Sequence, residues 1–135
     1  MAKKPVVIDF HAHIAVTEIL EKTFSHSQFA RAIAKSKLGS EGIDIPKPSL
    51  DRMSDMKIRF KEMDRMGIDI QVIRASILQQ CTYWAKPEVA LKMERQSNDF
   101  VAEAVAQHPD RLVGIGSVPL QDVKLAVNAL SLRTA

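Results

Sequence analysis

Three short apolar runs, separated by amphipathic stretches, constrain this chain more than any other feature of it. Pro5 to Ile14, Ile68 to Ala75 and Leu112 to Val118 are rich in Val and Ile and too short for helices, so they read as buried strands. Between the first two, Met53, Met56, Phe60 and Met63 recur at spacings of three and four, and Gly67 stops the helix they imply. Val89, Met93, Phe100, Ala104 and Val105 outline a second helical face that ends before Pro109. Pro119 punctuates the third strand, and Val123, Val127 and Leu130 open a further amphipathic helix. Strand alternating with helix predicts right-handed crossovers and a parallel sheet covered by helices, an α/β fold.

One stretch breaks the rhythm. Ala15 to Arg52 predicts a short helix around Gln28–Lys37, stopped at Gly39, and then a loop with Gly42, Pro46 and Pro48. Long excursions between a strand and its helix are usually functional. In a barrel this one would lie on the C-terminal face, where active sites sit. The chain thus divides into a first strand at about 5–14, an excursion over 15–52, and second and third βα units over 53–135.

Bulk properties exclude several classes. Of the 135 residues, 46% are hydrophobic and 26% charged, which fits a soluble globular chain. The net charge of +3 comes from Lys and Arg spread along the chain, and only 5% of residues are aromatic. A nucleic-acid surface would instead need a clustered basic stripe interleaved with aromatics. Mild basicity suits an anionic small molecule. Cys81 is the one cysteine, so no intrachain disulfide can form, and a reducing cytoplasm is the expected compartment. Lys3 and Lys4 precede an apolar run, but Asp9, His11 and His13 interrupt it before a signal sequence could form. No stretch is long and apolar enough to span a membrane.

The chemistry concentrates at Ile8-Asp9-Phe10-His11-Ala12-His13. Strict strand alternation predicts Asp9, His11 and His13 on one face and Ile8, Phe10 and Ala12 on the other. Two imidazoles at i and i+2 of a strand can converge on one Zn²⁺, Fe or Mn ion, and Asp9 would orient an imidazole from behind. Two histidines alone leave a site open. Tyr83 and Trp84 follow the second strand and could wall a planar substrate or simply pack under a loop. His26 reads as surface, His108 as a helix-end residue, and Asp64 and Asp69 as shaping the Gly67 turn. Asn98 and Asp99 sit mid-helix, where a structural hydrogen bond is the default.

Ile8-Asp9-Phe10-His11-Ala12-His13 resembles the first-strand signature of the amidohydrolase superfamily. Glu62-Met63-Asp64-Arg65-Met66-Gly67-Ile68-Asp69, Asn98-Asp99-Phe100 and His108-Pro109-Asp110-Arg111, leading to Val118-Pro119-Leu120-Gln121-Asp122, sharpen the likeness. Together they are similar to the amidohydrolase-related branch that includes aminocarboxymuconate-semialdehyde decarboxylase and the resorcylate decarboxylases. The resemblance implies the N-terminal part, about three βα units, of a distorted TIM (β/α)₈ barrel. It implies a divalent metal, usually zinc with Mn²⁺ or Fe²⁺ as alternatives, held by His11 and His13 as the first two ligands. Lys47 falls near a family position that holds a substrate-binding Arg, and Trp84 is the second substrate-binding candidate. The family's later-strand ligands have no counterpart here, and a complete barrel needs roughly 250 residues. The expectation is therefore a truncated chain.

The function expected is that of a metal-dependent hydrolase or carboxy-lyase (a decarboxylase) acting on a small carboxylated substrate, inactive as the isolated chain. Two alternatives stand beside it. One is a non-catalytic half-barrel that self-associates or binds a complementing C-terminal half; the other is a metallo-phosphoesterase or nuclease barrel, against which Val118-Pro119-Leu120-Gln121-Asp122 argues.

Overall fold

A computed structural model describes residues 5–25, 47–76 and 82–131. In chain order the elements are β1 (Ile8–Ile14), α1 (Thr17–Ser25), α2 (Lys47–Ser54), α3 (Met56–Met66), β2 (Ile70–Ala75), α4 (Pro87–Gln107), β3 (Leu112–Ile115) and α5 (Val123–Ser131). The strands form one parallel sheet in the order β1-β2-β3. Adjacent parallel strands joined through helices are successive βα units, as the alternation predicts, and they match the first part of the (β/α)₈ barrel that the resemblance implies. The predicted helix at Gln28–Lys37, Gly39, Gly42, Pro46, His26 and Cys81 lie outside the described residues.

The core sits between the sheet and its helices. Ala12, Ile14, Ile73 and Leu112 meet Val101 and Ala104 of α4, with Met56 and Phe60 of α3 packed against them. The opposite face of the sheet is open: Val113 and Ile115 are 48% and 47% exposed. In a closed barrel that face would be interior, and burying such side chains is worth roughly 1.5–3 kcal/mol each. Three strands cannot supply that burial.

Local chemistry explains the helix boundaries. The Asp55 carboxylate caps α3 by accepting from the Lys57 and Ile58 amides at 2.8 and 3.3 Å, and Gly67 ends the helix in the left-handed region at φ 71°. Pro87 occupies the first turn of α4, where its missing N–H costs nothing.

Two elements depart from expectation. The excursion contains α1 and α2, and α2 crosses its predicted boundary at Arg52. Pro48 reads as a loop residue in sequence, yet it falls in the first helical turn, where proline is tolerated. In α4 the buried stripe is Ala90, Met93, Glu94, Ser97, Asn98, Val101 and Ala104, while Val89 is exposed. Three of those seven residues are polar, which is why hydrophobicity misplaces the face.

Polar bonds tie the units together. Asp69 accepts from the Val7 amide at 2.8 Å, and Asp64 accepts from Arg111 at 2.8 Å. Both aspartates therefore reach beyond the Gly67 turn, to the chain entering β1 and to the start of β3. The Asn98 side chain donates to the Ser117 carbonyl at 2.7 Å and accepts from the Ser117 amide at 2.8 Å. This is the structural role expected of a mid-helix Asn, and it fixes the segment leaving β3. His108 caps the C-terminus of α4 and meets Phe60 edge-on at 4.5 Å.

Candidate metal centre

The register of β1 against β2 decides where the histidines point. Ile8 and Asp9 pair with Ile70 and Gln71, but Ala12, His13 and Ile14 pair with Ile73, Arg74 and Ala75. Between Asp9 and Ala12, β1 advances three residues while β2 advances two, so β1 carries a bulge. Bulges re-aim side chains and are common beside active sites.

The bulge corrects the expectation that Asp9, His11 and His13 share a face. Paired residues of parallel strands lie on the same side of the sheet, so Asp9 stands with Gln71 and Ile73 on the helix-facing side. His13, beyond the shift, pairs with Arg74 on the open side, and His11, within the bulge and one residue before the helix-facing Ala12, turns to the same side. Accordingly the Asp9 carboxylate accepts from the His11 amide at 3.0 Å and from the Gln71 side chain at 2.8 Å. It grips the main chain of His11 and makes these two bonds away from the rings. Those hydrogen bonds hold its pKa below the ordinary carboxylate value, the His11 amide contributing most.

The imidazoles converge. His11 Nε2 and His13 Nε2 lie 3.1 Å apart, the rings edge to face with centroids 5.0 Å apart. Two imidazole nitrogens that ligate one ion at ~2.0–2.1 Å stand about 2.9–3.4 Å from each other, so the spacing fits a shared metal. His13 Nδ1 donates to the Ala75 carbonyl at 3.3 Å, which leaves the Nε2 lone pair facing His11. Burial lowers the His13 pKa, partly offset by the Ala75 carbonyl, so the neutral, ligating form is favoured.

Behind the pair lies a network that sequence reasoning missed. Arg59 of α3 is buried; it donates to Gln71 Oε1 at 2.7 Å and also to the His13 carbonyl. Arg59, Gln71 and Asp9 thus form a relay that fixes both ends of the bulge. Burial pushes the Arg59 pKa down and the nearby Asp9 pushes it back up. A polar residue at position 59, four after the Asp55 cap and four before Met63 on the apolar face, is the signal that could have disclosed it.

A cleft of about 420 Å³ holds Asp9, His11 and His13 together with Arg52, Arg59 and Glu62. Lys47 is elsewhere: its side chain is 83% exposed and pairs with Asp51 one turn along α2 at 2.8 Å. Trp84 is half-buried in the turn before α4, and its exposed neighbour Tyr83 lines a second cavity beside Arg74. Among the described residues, no group of three or more His, Cys, Asp or Glu side chains could hold a metal ion. Among them, too, no helix is long and apolar enough to cross a membrane.

No family model matches the chain. It is 36% identical over 76 residues to 2-amino-3-carboxymuconate-6-semialdehyde decarboxylase of Dictyostelium discoideum, covering 56% of this chain and 21% of that protein. It is 34% identical over 80 residues to gamma-resorcylate decarboxylase of Polaromonas sp., covering 58% of this chain and 23% of the relative. The chain thus spans about a quarter of the length of these curated relatives. Its fold matches 5-carboxyvanillate decarboxylase of Sphingomonas paucimobilis with a TM-score of 0.74 at 22% identity, over 95% of this chain and 39% of that one. It also matches dihydroxybenzoic acid decarboxylase of Polaromonas sp., solved with bound manganese and the inhibitor 2-nitroresorcinol, with a TM-score of 0.60 at 27% identity over 95% and 34% of the two chains. The chain is therefore similar, over part of their length, to the aminocarboxymuconate-semialdehyde and gamma-resorcylate decarboxylases, and it shares its fold with the corresponding part of solved decarboxylases.

Proposed function

We propose that this chain supplies the first two metal ligands, His11 and His13, of a divalent-metal-dependent decarboxylase for small carboxylated aromatic or unsaturated acids. The observation that bears most weight is the 3.1 Å approach of the two Nε2 atoms at the C-terminal end of β1. Zinc fits the nitrogen donors, and the manganese of the Polaromonas relative fits equally. A bound divalent cation would polarise a substrate oxygen and so stabilise the negative charge left on the substrate as CO₂ departs and a proton takes its place on carbon. The protein's part is positional. The Ala75 carbonyl sets the His13 tautomer, and Asp9, Gln71 and Arg59 hold the main chain on which both rings are mounted.

Two protein ligands leave the ion open to solvent, so the isolated chain is proposed to bind metal weakly and to turn over at background rate. The apolar open face, with Val113 and Ile115 exposed, favours association with a second copy or with a polypeptide that completes the sheet. The test is proton relaxation of Mn²⁺ solutions titrated with the chain, with and without 2,6-dihydroxybenzoate. A ternary complex that needs both metal and acid, and that vanishes in His11→Ala plus His13→Ala, is expected. Acid binding that is indifferent to metal would overturn the reading.

A further inference from the structure

We propose that Arg74 is the group that grips the carboxylate of the substrate. The inference rests on the decarboxylase reading above and adds a recognition residue to it. Arg74 is the penultimate residue of β2 and stands in register beside His13, on the same open side of the sheet. Neighbouring strands lie ~4.8 Å apart, so the Arg74 and His13 side chains rise next to one another from adjacent strands. They stand at the strand ends where barrel enzymes assemble their sites.

Arg74 also lines a cavity of about 320 Å³, together with Thr82, Tyr83, Ser117 and Gln121. That volume is at the small end of the range for ligand sites, and Tyr83 adds a ring at its wall. Among the described residues the one carboxylate lining the same cavity, Glu94, is already engaged by the Thr82 and Ser117 hydroxyls. Among the described residues no hydrogen bond or ion pair occupies the Arg74 guanidinium. A half-buried guanidinium without a counter-ion among the described residues, at the mouth of a cavity beside a metal-ligand pair, is suited to a planar anion. Its fork of donors matches a carboxylate in bidentate fashion, which a lysine cannot reproduce. His11 and His13 would then hold the metal on one side of Arg74, and the cavity would seat the acid on the other.

The test compares 2,6-dihydroxybenzoate with resorcinol, which lacks the carboxylate, by calorimetry on the Zn²⁺-loaded chain. Wild type, Arg74→Lys and Arg74→Gln are measured, with inorganic phosphate as a competing anion. Wild type is expected to prefer the acid, and Arg74→Gln to reduce that preference about tenfold to a hundredfold. Arg74→Lys should recover only part of it, and zinc binding through His11 and His13 should be retained in all three. A preference that survives in Arg74→Gln overturns the inference and leaves the metal site standing. Phosphate competing as well as the acid would make this a general anion site and overturn it too. Wild-type chain that binds zinc through His11 and His13 but shows no preference for the acid also sinks it. Loss of zinc binding itself is the failure of the metal reading, and the His11→Ala plus His13→Ala control reports that separately. Circular dichroism of the variants confirms that fold is retained.

Discussion

Replacing Arg59 by methionine should destabilise the fold out of proportion to the volume lost. The Arg59 guanidinium is buried and serves three acceptors, Gln71 Oε1 at 2.7 Å, the His13 carbonyl and, more distantly, the Met53 carbonyl at 3.4 Å. Hydrogen bonds to charged groups contribute about 1.5–3 kcal/mol each, and each orphaned buried acceptor costs about 1–3 kcal/mol. Relief of the guanidinium's own desolvation offsets part of this, and the methionine stem keeps much of the packing. The net expectation is about 2–4 kcal/mol, a large share of the ~5–15 kcal/mol available to a small domain. Arg59→Lys can satisfy one acceptor and should lose about half as much. In Arg59→Met plus Gln71→Met the orphaned amide oxygen is gone, so the double variant should be more stable than the sum of the singles. Urea unfolding followed by circular dichroism measures wild type, the variants named and Gln71→Met alone. An Arg59→Met variant within about 0.5 kcal/mol of wild type would show that the relay does not hold the bulge.

Two further outcomes follow from the packing. A Cβ on Gly114 would lie 2.7 Å from Val101 Cγ1 and 3.2 Å from Val105 Cγ2, so Gly114→Ala must push β3 away from α4. A loss of about 1–3 kcal/mol in urea unfolding is expected, and an unchanged midpoint would contradict the close approach. Burial raises the Glu94 pKa above the ordinary glutamate value, despite the Ser117 and Thr82 hydroxyls that lower it. The folded state therefore holds the proton longer than the unfolded one, and stability falls as pH rises through that window. Glu94→Gln, which can still accept from Thr82 and reach Ser117, should gain on wild type at neutral pH. The gain should vanish below the unfolded glutamate pKa of about 4.3, and a pH-independent difference would refute the assignment.

The strand–helix order was legible because period-2 and period-3.6 patterns are set by backbone geometry. Each strand core fell inside its predicted run, and Gly67 and Pro109 marked helix ends for reasons of φ and of a missing N–H. The convergence of His11 and His13 was legible too, since residues at i and i+2 of a strand share a side. Their orientation relative to Asp9 was not, because the bulge between Asp9 and Ala12 arises from pairing with β2 and leaves no local signature. Arg59, Gln71 and Arg74 were invisible for a related reason. Their roles come from partners 46 and 62 residues away in sequence, or from lying beside His13 across the sheet. Lys47 looked plausible by position alone, and its nearest counter-charge turned out to be one helical turn away.

The central claim, that His11 and His13 ligate one ion through Nε2, is tested most directly by long-range ¹H–¹⁵N spectra of the imidazoles during zinc titration. Zinc should shift Nε2 of both His11 and His13 together, with Nδ1 of each still protonated, and leave His26 and His108 unmoved. Shifts confined to His26 or His108, or zinc affinity unchanged in the His11→Ala plus His13→Ala variant, would contradict the assignment.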